Sequence, residues 1–385
     1  MNDLQKRTWA EIHLGRLADN YHALRALAPE SKFVGLVKAN AYGHGAVPVA
    51  QKLAELGTDY LAVACLDEAL ELRRAGIETP VLILGNTPPE YTRELIDAHI
   101  TQNVYDPALA KEFSRRALEL GGKLLCHLKV DTGMSRLGIL CDEADMAVGV
   151  DALEEMAKLP GLDCEGIFMH FADADSCPEY SEMQIRRFHQ VLRELKNRGV
   201  EFRLRHCCAG AATLNYPEVH LDMIRPGIPL YGLYPDPSTM DKIDLKPVME
   251  LKTRVISLRR LPKGTCVSYG RTYTLERDSL VAAVPVGYAD GLHRALSNRM
   301  EVLTPYGRAK QVGRICMDMC MIDVTDLPEV KSGDEVEIFG KNVLCAEDAA
   351  ACGTIPYELL CAVSKRVPRH YFLHGERVDA DLQSV

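Results

Sequence analysis

Four residue types at intervals along this chain could do chemistry together: a lysine at position 38, a histidine at 170, an arginine at 225 and a tyrosine at 269. Lys38 closes the apolar run Phe33-Val34-Gly35-Leu36-Val37, which reads as a short buried strand. It is followed by the Gly-flanked turn Ala39-Asn40-Ala41-Tyr42-Gly43-His44-Gly45 and a helix-like segment from about Ala46. A lysine held at a strand's mouth in apolar surroundings is a candidate Schiff-base residue. Its free pKa of about 10.4 falls when water is removed, and the neutral amine can then attack a carbonyl. The competing reading is an ordinary surface lysine at a strand end.

Arg225-Pro226-Gly227-Ile228 is the second informative string. Arginine has a pKa above about 12 and cannot usefully give a proton to a pyridine nitrogen. Facing such a nitrogen, Arg225 would donate a hydrogen bond and leave the ring unprotonated. That makes the ring a weaker electron sink and suits a reaction that moves a single proton. Gly227 and Ile228 could offer backbone N–H groups to a phosphate. His170, after an apolar run, is either a structural histidine or a ring-stacking or proton-relay group. Tyr269, with a free pKa near 10, is a poor base unless neighbours lower it, and by itself reads as a turn residue. Met317, within Val312–Met319, reads locally as sheet core.

The elements that would gather these groups are legible as an alternation. Eight strand candidates run Phe33–Val37, Tyr60–Ala64, Val81–Leu84, Thr101–Val104, Leu124–Val130, Cys164–Met169, Phe202–Cys207 and Leu221–Arg225. Amphipathic segments separate most of them: Asp67–Ala75, Pro107–Leu120, Glu143–Leu159 and Ser181–Arg198. In the last, Met183, Ile185, Phe188, Val191, Leu192 and Leu195 recur at helical spacing. Eight such units over some 200 residues predict an α/β fold with an N-terminal (β/α)8 barrel; an open doubly wound sheet is the alternative. A barrel gathers its site at the C-terminal ends of its strands, where Lys38, the Lys129–Arg136 stretch, His170 and Arg225 all fall. Beyond Asp241 short runs separated by turns predict a mostly β second domain, with Pro235–Thr239 as the linker.

Composition narrows the partners. A formal charge of −9 with no basic tract excludes nucleic acid as an expected partner. No run approaches the roughly 18 apolar residues of a membrane span. Met1–Arg7 lacks the apolar core of a secretory peptide. Thirteen cysteines without a Cys-x-x-Cys pair point to reduced thiols in a cytoplasm, with no metal site.

In order and across nearly the whole chain, several strings resemble the alanine racemase family. They include Thr8–Ile12, Lys38–Gly45, Asp131–Gly138, Arg225–Gly227, Ser268–Gly270, Val286–Gly291, Cys316–Asp318, Ile355–Glu358 and Arg366–Arg369. The resemblance implies interconversion of L- and D-alanine, supplying D-alanine for peptidoglycan, with pyridoxal 5'-phosphate as cofactor. It implies a barrel over residues 13–240 and a β domain over 241–385, joined by residues 1–12. It also implies a head-to-tail homodimer with shared sites. Lys38 would carry the cofactor as an aldimine and act as base on the D side; Tyr269 of a second copy would act on the L side. Two bases on opposite faces make physical sense, because one base cannot reach both faces of a planar carbanion. Arg225 would hold the pyridine nitrogen, Tyr42 and Tyr357 the phosphate, and Arg136 with Met317 of the second copy the substrate carboxylate. Lys129 matches a lysine that is carbamylated in many members.

One departure stands out. Members commonly carry Asn-Ser after the seventh strand, where this chain has Ala209-Gly210. Gly210 keeps a backbone N–H but lacks the hydroxyl, a difference on the order of 1 kcal/mol in cofactor retention. A serine or broad-specificity racemase is the nearest alternative, since an apolar pocket only weakly rejects an added hydroxyl. A non-catalytic cofactor carrier would resemble the barrel half alone. A decarboxylase would be expected to place a carboxylate where Arg225 stands.

Overall fold

The computed structural model describes residues 7–378. Met1–Lys6 of the expected N-terminal arm, and 379–385 at the other end, lie outside the described residues. Eight parallel strands form where short apolar runs were expected: Lys32–Leu36, Tyr60–Val63, Val81–Ile83, Ile100–Val104, Leu124–Asp131, Leu162–Phe168, Leu204–His206 and Met223–Ile224. Their order around the sheet follows the chain, with Ile139–Leu140 pairing alongside the fifth strand.

The sheet closes on itself. Met223 pairs with Lys32 on one side of the last strand. On the other side the N–H of Asp222 donates to the carbonyl of Arg205 (3.0 Å), and that of Arg225 to Cys208 (2.9 Å). Such closure excludes the open sheet, and counting units could not have shown it. Because both faces of a closed parallel sheet are covered, Tyr60–Val63 and Val81–Ile83 are buried at every residue, while the fourth and fifth strands carry buried polar groups such as Gln102, Asn103, His127 and Lys129.

The connecting helices begin and end within a few residues of expectation: Leu66–Arg74, Pro107–Glu119, Met146–Ala157 and Pro178–Asn197. The last differs in one respect. Its buried stripe runs Ser181, Gln184, Phe188, Val191, Leu195, so two polar residues occupy the first turns where the expected apolar face began at Met183. The expected linker is a fixed turn rather than a loose one. The Asp236 carboxylate accepts from the N–H of Ser238 (2.8 Å) and starts a 3-10 segment, Pro237–Lys242.

Beyond it lies a second, ten-stranded sheet. Third from one edge of it lies the chain's first described strand, Thr8–His13, antiparallel to Met249–Arg254 and parallel to Arg369–Leu373. Alternating burial along Glu301–Thr304 marks a strand with one face toward a core, whereas Met249–Leu251 are buried in succession inside the sheet. Among the described residues no helix is long and apolar enough to cross a membrane.

Candidate active site

Lys38 leaves the first barrel strand through a turn of unusual handedness. Ala39, Asn40, Ala41 and Tyr42 all have φ between 52° and 54°, a stretch of left-handed helix. For residues with a Cβ this costs roughly 1–2 kcal/mol each. Fixed contacts offset it. Glu68 accepts from the N–H of Ala39 (2.7 Å) with one carboxylate oxygen and from Ala64 (2.7 Å) with the other. The Asn40 side chain accepts from the N–H of Ala46 (2.8 Å). Arg369, from the second sheet, donates twice to the carbonyl of Gly43 (3.0 and 2.9 Å). Gly43 itself has φ +84°, and a Cβ there would stand 2.2 Å from the carbonyl oxygen of Leu360. The lysine turn is thus clamped between a barrel helix and the other domain, and no larger residue fits at its end.

Lys38 and Tyr42 line a cavity of ≈ 660 Å³ at the barrel mouth. Its walls also include Lys129, Arg136, His170, Gly210, Arg225, Gly227 and Tyr357, so nine of the twelve residues singled out from the sequence converge there. Ile228 sits just behind the wall, fully buried, and opens a 3-10 turn; its neighbour Gly227 is the one that meets the cavity. Tyr269 and Met317 are not in this wall. Tyr269 is 72% exposed and Met317 53% exposed, so Met317 is not the sheet core that its local sequence suggests. Met317 occupies a bend whose carbonyl accepts from the N–H of Ala289 (3.0 Å). Tyr269 borders a separate groove with Ser268, Cys316 and Met319.

The cavity is strongly cationic. Burial, then the nearby Arg136 guanidinium, pulls the Lys38 amine below its ordinary pKa. Burial, with Arg225 and Arg136 adding to it, brings Lys129 down to about 8. The same burial and the same cations push His170 well below its usual range, so its ring is neutral. Burial raises the Tyr42 and Tyr357 hydroxyls, which remain protonated donors. Arg225 is only 3% exposed and is lowered to about 10, again by burial. It donates from Nη2 to the carbonyls of Met169 (3.0 Å) and Cys207 (2.9 Å), which fixes the guanidinium in place. Its Nε has no partner among the described residues. Asp175 is the lone carboxylate on the wall. So many donors and positive charges facing one space favour an anionic ligand.

Two neighbours escaped the sequence reading. Phe168 lies under the cations, its ring centroid 5.1 Å from Lys129 Nζ and 5.5 Å from the Arg225 guanidinium carbon. It stacks on His206 (4.7 Å, 3°), which in turn sits 2.9 Å, Nε2 to Nδ1, from His127. An apolar residue in an apolar strand carries no sign that it faces the barrel interior. Gln184 is the other, buried between the two site loops; a polar residue on the buried stripe of an amphipathic helix was the available signal.

A closed barrel whose mouth gathers a desolvated lysine, two arginines and a neutral histidine has the features of an amine-dependent barrel enzyme. The models "Alanine racemase, N-terminal domain" and "Alanine racemase, C-terminal domain" match residues 12–235 and 248–371. Alanine racemase 2 of Caldanaerobacter subterraneus subsp. tengcongensis is 43% identical over 98% of both chains. Among solved structures, the alanine racemase of Clostridium difficile 630 superposes with a TM-score of 0.92 at 39% identity, covering 98% of each chain. That of Bacillus anthracis, solved with bound L-Ala-P, gives 0.87 at 35% identity over 97% of each. This chain belongs to the alanine racemase family.

Proposed function

We propose that the chain interconverts L- and D-alanine, with pyridoxal 5'-phosphate held at the barrel mouth, as a cytoplasmic homodimer that supplies D-alanine for peptidoglycan. The observation that carries this reading is the convergence of Lys38, Arg136 and Arg225 on one cationic cavity.

The residues present suit the cofactor. Arg225 is buried with an unpartnered Nε donor, which complements a ring nitrogen that accepts a hydrogen bond. A Cβ at Gly227 would stand 3.6 Å from the Tyr42 hydroxyl, and one at Gly210 would stand 3.5 Å from the Tyr357 hydroxyl. Two bare backbones beside two protonated phenols make a cup for a phosphate. Bound there, the cofactor would withdraw electrons from the substrate's α-carbon and make its C–H acidic.

Lys38 then works as a base because burial and Arg136 weaken its hold on a proton. Arg136 is the group that would pair with the substrate carboxylate, orienting the α-hydrogen along one face. Neutral His170 leaves the cationic wall without a further charge. Arg225 stays protonated at neutral pH and delivers no proton to the ring, so reprotonation is directed to carbon. The opposite face needs a second base. Tyr269 does not line this cavity within one chain, and its exposure, like that of Met317, suits it to enter the cavity of a second copy. The residues 13–240 would then serve as cofactor-bearing unit and 241–385 as the unit lent to the other chain.

The test is racemisation of L-alanine and L-serine in deuterated water with added cofactor, reading chirality and α-deuterium. D-alanine formed with deuterium incorporation, faster than D-serine, supports the reading. Faster turnover of serine replaces the substrate, and bound cofactor without exchange on either replaces the activity.

A further inference from the structure

Helix Pro178–Asn197 meets the barrel mouth with one face carrying Tyr180, Gln184 and Arg187, spaced four and three residues apart. Tyr180 donates to the carbonyl of Gly133 (2.7 Å) and Arg187 to that of Thr132 (2.8 Å), with Arg187 also donating to the Glu143 carboxylate (3.0 Å), so these two contacts reach the Arg136 loop but not the loop that carries His170. Gln184 does something different. Its Oε1 accepts from the N–H of Ala172 (2.9 Å), and its Nε2 donates to the carbonyl of His170 (3.2 Å) and to the Thr132 hydroxyl (3.2 Å). Gln184 and Thr132 are both fully buried. One amide thus ties the loop after the sixth strand, which carries His170, to the loop after the fifth, which carries Arg136.

Of the three side chains, Gln184 alone bonds to both loops. The Arg136 loop turns through Gly133, Ser135 and Gly138 at positive φ (136°, 55° and 131°). Its internal support comes from Asp131, whose carboxylate accepts from the N–H groups of Gly133 (2.9 Å) and Ser135 (3.0 Å). Those bonds shape the loop but do not set its distance from the His170 side of the cavity.

We propose that Gln184 is a positioning residue that sets Arg136 against His170 and thereby fixes where a substrate carboxylate is held. The proposal rests on the racemase reading for its consequence, though not for the clamp itself. A small amino acid has one carboxylate by which to be oriented, so a shift of the arginine loop weakens binding more than it slows a correctly bound molecule.

The variants are Gln184→Met, which keeps the length and loses every polar contact, Thr132→Val, which cuts one of the three, and the double variant. The clamp predicts that Gln184→Met raises KM for L-alanine about tenfold with a smaller fall in kcat. Thr132→Val should raise KM less, and the double variant should match Gln184→Met alone, because both act through one tie. Cofactor affinity, measured by titration, should change less than about twofold, since no phosphate or ring contact is altered. Hydrogen exchange on the cofactor-loaded protein should quicken together at 131–138 and 170–176, and this reads the clamp even in a chain without racemase activity. A lowered Tm with unchanged KM, or faster exchange in only one loop, overturns the proposal. Additive effects of the two substitutions on KM do the same.

Discussion

The barrel mouth and the Tyr269 edge of the β domain hold the same number of proposed bases, one each, yet they are built in opposite ways. Around Lys38 the cofactor side is enclosed: Arg225 is 3% exposed, the lysine turn is clamped from two domains, and the cations share one cavity, with Arg136 at its open rim. At the Tyr269 edge the large side chains are exposed: Tyr269 itself and Met319, which share one groove, and elsewhere in the β domain Met317 and Tyr288. A half-site that shifts pKa values must exclude water by itself, whereas a half-site lent to another molecule must stay open until it docks. The contrast is what a shared site between two identical chains requires.

The most severe way to break this comparison is to separate the halves. Lys38→Met and Tyr269→Phe should each lose racemisation by at least about a hundredfold, with Tyr269→Phe keeping the cofactor's absorbance. Mixing the two dead variants under subunit exchange should then restore about a quarter of wild-type activity, because half the dimers are mixed and each has one intact site. No recovery in a mixture shown by mass spectrometry to contain mixed dimers would place both bases in one chain.

A smaller effect sharpens the enclosed half. Lys129 is buried and its pKa falls from 10.5 to about 8. Between these values the unfolded chain binds the proton and the folded one does not, so stability rises with pH across that window. Below pH 8 the folded protein carries the full deficit, about 3 kcal/mol by the pKa difference. Lys129→Met should therefore be more stable than wild type at pH 7, and the difference should shrink toward pH 10. Denaturant unfolding at several pH values measures it. If carbon dioxide converts the amine to a carbamate, bicarbonate should abolish this pH dependence and add one carboxyl adduct to the intact mass.

The smallest effect concerns the cofactor cup. A Cβ at Gly210 meets nothing nearer than 3.5 Å, and its φ is not positive, so a serine fits there without strain. Gly210→Ser should tighten cofactor binding about fivefold, on the order of 1 kcal/mol. Equilibrium dialysis of the released cofactor checks it, and unchanged affinity would mean the backbone N–H alone suffices.

Much of this architecture was legible before any coordinates. Short apolar runs and period-3.6 patterning placed the eight barrel strands and several of their helices to within a few residues, because buried strands and one-faced helices leave a local record of what they must hide. Tyr42 and Tyr357 illustrate the limit. They are 315 positions apart, and only folding brings their rings to 6.0 Å on one cavity.

What the sequence determined by itself was the inventory: a lysine at a strand's mouth, an arginine where other cofactor enzymes keep an acid, and a glycine in place of a serine. Only the tertiary structure decided which of these share a space. It turned Ala39–Tyr42 left-handed, buried Phe168 beneath two cations, joined two loops through Gln184 and left Tyr269 outside the cavity. The reason is physical. Propensity and periodicity act over a few residues, while closure, burial and long-range hydrogen bonds depend on where the whole chain comes to rest.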